Sequence, residues 1–174
     1  MISGNKVSLR NVLVIDLDEF YRLTTDLNDA GEYMPMALTS EANFMDTFHQ
    51  SGFWENNSGR LIIECNQTGE IVGEIGCFKA THYLDGREVY YRIFSGHRGK
   101  GFASEALSLF ISLFFKTTSM NRLQGVTIVG NEASEHMLTK AGFQKEGTMR
   151  QARWFNGKVV DLNLFSLLRH DVTK

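Results

Sequence analysis

Arg98-Gly99-Lys100-Gly101-Phe102-Ala103 joins an expected strand to a strongly amphipathic helix. On its N-terminal side, residues 88–94 are aromatic and β-branched over the length of a strand. On its C-terminal side, apolar residues recur at the spacing of one buried helix face: Ala103, Ala106, Leu107, Phe110 and Phe114. Glycines at such a junction allow backbone N–H groups to turn inward, and a helix N-terminus attracts anions. The stretch therefore predicts a main-chain cradle for a pyrophosphate.

Two better-known glycine motifs do not fit this stretch. A P-loop reads G-x-x-x-x-G-K-[ST], and a count from Gly96 places Phe102 where the lysine must stand. A dinucleotide fingerprint counted from Gly99 ends at Ser104, where a glycine or alanine is needed. An ordinary tight turn before a helix remains the alternative to a phosphate cradle.

The wider sequence resembles the GNAT N-acetyltransferases, and among them the ribosomal-protein-acetylating (RimJ/RimL-like) branch. The resemblance rests on segments in the family's order and spacing, at residues 99–107, 121–123, 131–134, 138–143 and 146–150. The N-terminal third matches only in its coarse pattern. The resemblance implies an α/β (α+β) chain with the GNAT fold: a mixed, mostly antiparallel central sheet, splayed at the strands that flank the cofactor, with helices on both faces.

The periodicity of the chain agrees with that fold in the order βααβββαβαββ. Near the N-terminus it predicts a strand at Val7 and Leu9, a helix that buries Leu17, Phe20, Tyr21 and Leu27, and a second helix that starts at Thr39 or Ser40 and buries Phe44, Met45 and Phe48. A hairpin of residues 61–65 and 71–78 follows, before the strand at 88–94. A strand at 126–129 then requires a parallel crossover, a helix occupies 133–140, and Asn156-Gly157 predicts a final hairpin.

The family resemblance implies acetyl-CoA as the cofactor, with its pyrophosphate on the N–H groups of residues 99–104. It also implies that the pantetheine arm lies along the strand before the cradle, and that N–H groups near the end of this strand polarise the thioester. The implied cofactor-binding residues are Phe94, Ser95, Arg98, Gly99, Lys100, Gly101, Phe102, Ala103, Ser104 and Asn131.

Two residues are catalytic candidates by the same resemblance. Ser134, in the motif N-x-x-S, would protonate the departing thiolate, although Asn131 or Ser134 could simply cap a helix. Glu88 would be the general base, although a glutamate at a strand end is often a solvated surface residue. The carboxylate that some relatives carry just after E-G-x-x-R is Arg153 here, and Glu146 could pair with Arg150 instead of acting as a base.

Four aromatic residues are candidates for the acceptor pocket. Tyr90 and Tyr91 point to opposite faces of one strand, so we expect at most one of them to line the active cleft. Trp54 and Trp154 fall where the family frames its acceptor, although aromatics at those spacings also serve as core residues.

Length and composition bound the remaining possibilities. The 174 residues predict a single domain, 1–174, and a formal charge of −2 argues against a general nucleic-acid binder. Cys65 and Cys77 are expected to be buried thiols, and the five histidines lack the spacing of a metal site. Without a membrane-length apolar run or a signal-peptide core, the expected location is the cytoplasm.

The sequence therefore favours an acetyl-CoA-dependent N-acetyltransferase that acts on a primary amine, such as a protein N-terminus, a polyamine or an amine-bearing small molecule. A catalytically silent acyl-CoA-binding or sensing domain is the alternative, and a hydroxyl acceptor is not excluded. The family also gives reason to expect a homodimer.

Overall fold

The computed structural model describes residues 1–29, 31–34, 38–82 and 84–172. Within these residues, nine strands form one sheet: Ile2–Ser3 (β1), Val7–Arg10 (β2), Trp54–Glu55 (β3), Ser58–Cys65 (β4), Ile71–Phe78 (β5), Gly86–Ile93 (β6), Arg122–Ile128 (β7), Gln144–Phe155 (β8) and Lys158–Leu168 (β9). The α-helices are Leu17–Thr25 (α1), Glu41–Ser51 (α2), Phe102–Thr117 (α3), Glu132–Lys140 (α4) and Arg169–Val172 (α5). Short 3-10 helices occur at Val14–Asp16, Leu27–Asp29 and Ser95–His97.

The strands are ordered β1-β2-β4-β5-β6-β7-β9-β8, and β3 pairs with β4. Among these strands, only β6 and β7 pair in parallel, and α3 makes the crossover between them. All the other pairs are antiparallel. The predicted mixed, mostly antiparallel sheet is therefore confirmed.

Helices cover both faces of the sheet, as predicted. The larger core lies under α3, where Leu107, Phe110 and Phe114 are almost completely buried against the sheet. A second, smaller core lies under α1 and α2, where Phe20 and Phe44 pack together. Each such phenylalanine contributes about 1.5–3 kcal/mol by burial alone, so the two cores hold α3 on one face and α1 and α2 on the other.

The local signals place most element boundaries correctly. The Ser40 hydroxyl accepts a hydrogen bond from the Asn43 N–H and caps α2, as its position predicts. Asn156 and Gly157 both have positive φ and turn the β8–β9 hairpin. The extent of the first helix is wrong: α1 ends at Thr25, and Leu27 is 43% exposed in a separate 3-10 turn.

The parallel pair opens soon after it forms, and this opening positions the site. β6 pairs with β7 only from Gly86 to Glu88, opposite Arg122 to Gln124. Beyond these residues β6 keeps its pairing with β5, while β7 keeps its pairing with β9. The two strands therefore diverge, as the resemblance implies, and leave a slot between residues 89–93 and 125–128.

Candidate active site

The slot between β6 and β7 contains a cavity of about 310 Å³, which we call the slot cavity. Glu88, Tyr90 and Tyr91 line it from β6, and residues 125–128 line it from β7. Asn131 and Ser134 contribute from the start of α4. The cavity thus brings together both catalytic candidates and both tyrosines of the sequence analysis.

The edge of β6 that faces the slot carries open backbone groups. The Phe94 N–H donates to the Val72 carbonyl of β5 at 3.0 Å, so alternate residues along β6 direct their polar groups to β5. The intervening residues direct theirs toward the slot, where β7 has moved away beyond Glu88. The open groups are the Val89 carbonyl, the N–H and carbonyl of Tyr91, and the Ile93 N–H, because the Ile93 carbonyl accepts a hydrogen bond from Arg98 Nε. An extended amide-containing chain can pair with such an edge as an added strand does.

The loop at residues 99–104 has the backbone conformation that the sequence predicts for a cradle. Gly99 and Gly101 have φ values of +76° and +81°, and α3 begins at Phe102 without a side-chain cap. Among the described residues, none accepts a hydrogen bond from the N–H groups of 99–104. Unpaired N–H groups at the positive end of a helix dipole suit a diphosphate, so the residues present fit coenzyme A.

Lys6 lies beside this loop, and the sequence analysis missed it. Its Nζ donates to the Lys100 carbonyl at 3.0 Å, and the Glu105 carboxylate accepts hydrogen bonds from the Asn5 and Lys6 N–H groups. Because about a hundred residues separate these partners in the chain, no local pattern could have indicated the contact. The β1–β2 turn therefore adds a positive charge next to the cradle.

Arg98 binds the protein itself rather than pointing freely into the cradle. Its Nε donates to the Ile93 carbonyl at 2.9 Å, and its Nη2 lies 3.4 Å from the Asp29 carboxylate. Asp29 also pairs with the buried Arg92 at 3.1 Å. Arg98 thus secures the loop against the 3-10 turn that contains Asp29, and its direct role toward the cofactor stays a prediction.

The Asp29 carboxylate is held in its ionised form. Burial, the largest influence, raises its pKa, but hydrogen bonds from Ser95 and the two nearby arginines outweigh burial and leave the pKa below its ordinary value. The Ser95 N–H donates to Asp29 Oδ1 at 2.6 Å. Asp29 therefore joins the end of β6 to the loop that follows it.

The same contacts correct the expected thioester donors. The N–H groups of Phe94 and Ser95 already donate to Val72 and Asp29, so neither is available to polarise a carbonyl in this structure. The slot-facing N–H groups of Tyr91 and Ile93 are the available donors on this strand. Sequence reasoning could not distinguish them, because which amides face the slot depends on the pairing of β5 with β6.

Glu88 lies half-buried at the closed end of the slot, where its carboxylate accepts a hydrogen bond from Gln124 Nε2 at 3.0 Å. Burial is the main influence on this carboxyl and raises its pKa, although Gln124 and the nearby Arg153 act in the opposite direction. Arg153 lines the same cavity. Glu88 is thus a carboxylate with a raised pKa inside the cavity, as a general base requires.

Asn131 and Ser134 have different roles at the start of α4. Asn131 is the N-cap, because its Oδ1 accepts a hydrogen bond from the Ser134 N–H at 3.2 Å. The Ser134 hydroxyl does not cap the helix and instead contacts the Tyr91 side chain, whose pKa burial raises to about 12. A pair of protonated hydroxyl groups therefore lies at the wall of the slot cavity.

Both Tyr90 and Tyr91 line the slot cavity, so the expectation that only one would do so is wrong. Their side chains lie on opposite faces of β6, as alternation predicts. Because β7 has separated from β6, the slot passes through the sheet, and both faces contribute to one cavity.

Neither tryptophan lines the slot cavity, so their expected roles in the acceptor pocket stay predictions. Trp54 packs edge-on against Phe110 of α3, with 6.4 Å between ring centroids, on the face of the sheet opposite α1 and α2. Trp154 is 70% exposed near the tip of the β8–β9 hairpin. Aromatic content and position in the chain identified them, but neither property determines which face of a strand a side chain occupies.

Glu146 pairs with Arg122 rather than with Arg150. Both guanidinium N–H groups of Arg122 donate to its carboxylate at 2.7 Å, and the Ser166 hydroxyl donates at 2.6 Å. These contacts lower the pKa of Glu146 to about 2. A carboxylate with so low a pKa is a weak base, which leaves Glu88 as the stronger candidate.

Other kinds of site are not indicated by the part of the chain that the structure describes. It contains no group of three or more His, Cys, Asp or Glu side chains suited to a metal ion. Cys65 and Cys77 are buried free thiols, as predicted. Within the same residues, no helix has the length and apolar character needed to cross a membrane.

Comparison with known proteins also supports the interpretation of the slot and its loop as a site for coenzyme A. A family model described as an acetyltransferase (GNAT) domain matches residues 6–144. The N-acetyltransferase p20 of Bacillus licheniformis is 30% identical over 95% of this chain and 94% of its own length. The N-acetyltransferase YoaA of Bacillus subtilis (strain 168) is 36% identical over 67% of this chain and 66% of its own length.

A solved structure shows the same fold. The spermidine N-acetyltransferase of Vibrio cholerae, in complex with CoA and spermine, superposes with a TM-score of 0.85 at 19% identity. The match covers 98% of this chain and 100% of that chain.

Proposed function

Because this chain belongs to the GNAT acetyltransferase family and is an N-acetyltransferase of the type that uses acetyl-CoA, we propose that it acetylates a primary amine in the slot cavity. The observation that carries the proposal is the combination of an open β6 edge with the unpaired N–H groups of residues 99–104. Acetyl-CoA supplies an acetyl group activated as a thioester. The protein supplies the binding groups, the orientation and the proton transfers.

The cofactor is held mainly by backbone groups in this proposal. The N–H groups of 99–104 bind the diphosphate, and Lys6 adds a positive charge beside them. Ile93, the slot-facing residue of β6 nearest the cradle, pairs through its N–H group with the pantetheine arm. The N–H group of Tyr91, farther from the cradle along β6, polarises the thioester carbonyl.

Two side-chain groups handle the protons. Glu88 takes a proton from the attacking amine, directly or through water, since a raised pKa keeps its basicity close to what that task needs. Ser134 and Tyr91 provide hydroxyl groups at the opposite wall, and Ser134 donates a proton to the departing thiolate. Asn131 keeps Ser134 in place by capping α4.

Ser134→Ala tests the proton donor. We expect kcat to fall about 100-fold, which is the lower range for loss of a general acid, while the CoA dissociation constant stays within about twofold. Asn131→Ala, in contrast, should lower the free energy of unfolding by about 1 kcal/mol through loss of the cap. Steady-state kinetics and calorimetric CoA titration measure both effects. An unchanged kcat in Ser134→Ala would remove the hydroxyl from the mechanism.

The proposed activity is tested by monitoring thiol release from acetyl-CoA in the presence of amines. The panel includes N-terminal peptides, polyamines, amino acids and aminoglycosides. Turnover with any amine supports the proposal, with matching mass of the acetylated product as the control. Tight CoA binding with no turnover across the panel would favour the alternative, a silent acyl-CoA-binding or sensing domain.

Finer assignments are part of this proposal. Membership of the RimJ/RimL-like branch is supported by the N-x-x-S motif, with Ser134 at the slot cavity. Homodimer formation and a cytoplasmic location remain predictions from the family and the sequence.

A further inference from the structure

A second cavity lies on the other side of β6, between the sheet and helices α1 and α2. Its volume is also about 310 Å³, and we call it the helix-side cavity. Tyr90 and Met34 line both this cavity and the slot cavity. The two cavities therefore adjoin at Tyr90 and Met34.

Glu74 is the unusual group in the wall of this cavity. It is only 4% exposed, and its buried Oε2 accepts no hydrogen bond from a described residue. Its nearest cation is Arg60, whose Nη1 lies 3.4 Å away. Burial is the dominant influence and raises the pKa of Glu74, while Arg60 and Arg92 lower it. A buried carboxylate without hydrogen bonds costs stability unless a cationic ligand satisfies it.

Positive groups complete the same wall. Arg60 is about one-third exposed and lines the cavity, so it remains accessible to an anion. The buried Arg92 has an Nε without a hydrogen-bond partner, although its other nitrogens bind Asp29 and the carbonyl groups of Thr24 and Asp26. The wall therefore offers one negative and two positive groups side by side, which complements a ligand that carries both charges.

The register of the strands sets the distances from Tyr90 to Glu74 in this wall and from Tyr90 to Glu88 in the slot cavity. Tyr90 pairs with Gly76, so Glu74 is its diagonal neighbour on the same face, at about 7–8 Å between Cα atoms. Glu88 lies two residues from Tyr90 in the other direction, about 7 Å along β6. A flexible aliphatic chain of the length of a lysine side chain can span from the slot to Glu74.

We propose that the acceptor is a small diamine-type amino acid, whose side-chain amine reacts in the slot while its α-ammonium binds Glu74 and its carboxylate binds Arg60. This inference rests on the proposed function and adds the acceptor class to it. A polyamine satisfies Glu74 but leaves both arginines beside a second cation, so it fits the wall less well. Glu74 acts here as a specificity-determining residue, and Glu88 keeps the role of base.

The test uses three acceptors that differ by one group each: lysine, cadaverine and pentylamine. Cadaverine lacks the carboxylate of lysine, and pentylamine lacks the second amine as well. We expect kcat/KM to fall from lysine to cadaverine and again from cadaverine to pentylamine, by about tenfold at each step. Thiol release with saturating acetyl-CoA measures all three.

Substitutions test which residue is responsible for each of these two decreases in kcat/KM. Glu74→Gln should lower kcat/KM for lysine and cadaverine about 30-fold, because each loses a buried charge contact, and leave pentylamine within twofold. Arg60→Gln should reduce the ratio of kcat/KM for lysine to that for cadaverine. Glu64→Gln is the matched control, since that carboxylate pairs with Arg10 outside both cavities. Turnover of pentylamine also shows that each variant is folded.

The possible outcomes distinguish failure of the proposed acceptor class from failure of the proposed acetyltransferase activity. Turnover of pentylamine with no preference for lysine, or an unaltered lysine preference in Glu74→Gln, overturns this inference and leaves the proposed function intact. Higher kcat/KM for cadaverine than for lysine would replace the amino acid with a diamine and also overturns it. If no amine is acetylated, the proposed function itself fails.

Discussion

Gly101→Val should weaken CoA binding by about 100-fold. Gly101 has a φ of +81° at the N-cap of α3, where a β-branched residue is strained by on the order of 1–3 kcal/mol. The Cβ of a valine would also lie only 3.2 Å from the Nζ atom of Lys6. The loop must then move, and the N–H groups of 99–104 lose their common direction. Isothermal titration calorimetry with CoA measures the change.

Gly96→Val is the matched control for this substitution. Gly96 lies in the same connection between β6 and α3, but its φ is not positive and an added Cβ meets no other atom within 4 Å. We expect its CoA affinity to remain within about threefold of that of the original protein. Equal affinity in both variants, with both folded, would mean that the loop does not bind the diphosphate.

Glu88→Gln should lower kcat/KM about 100-fold near neutral pH and abolish its acidic limb. A base must be deprotonated to act, so activity rises with pH through the pKa of Glu88, which burial raises above the ordinary glutamate value. In the glutamine variant no carboxylate titrates at this position, and the profile should be flat on the acidic side. Measurements of kcat/KM from pH 5 to pH 9 with one amine reveal the difference.

Glu146→Gln is the control for the base. Its carboxylate, held by Arg122 and Ser166, has a pKa of about 2 and stays ionised across the measured range. The acidic limb should therefore persist in this variant. If the limb persists in Glu88→Gln as well, the proton passes to water or to another side chain.

The fold follows from local patterns to a large extent. The amphipathic stripe of α3, the capping Ser40 and the Asn156-Gly157 turn each have a short-range physical cause, and the structure confirms all three. The parallel crossover follows because a strand, a helix and a strand succeed one another in one sheet. Even the opening between β6 and β7 was implied, although through the family resemblance rather than through periodicity.

The site depends more on contacts between distant residues, and the sequence predicts it less well. Asp29 contacts Ser95 and Arg98 across more than sixty residues, and no local pattern marks it. Glu74 reads as one polar residue inside an apolar strand, which indicates a buried polar group without naming its neighbours. The roles expected for Phe94 and Ser95 are wrong in detail because strand pairing, not residue type, decides which amides face the slot.

A crystal structure of the protein with CoA bound will show whether the cofactor lies in the slot and on the loop at residues 99–104. We expect the diphosphate to accept hydrogen bonds from the N–H groups of residues 99–104, the pantetheine arm to pair with Ile93, and the thioester end to reach Tyr91 in the slot. A nucleotide bound elsewhere, with the slot between β6 and β7 closed by the protein's own side chains, would contradict this expectation.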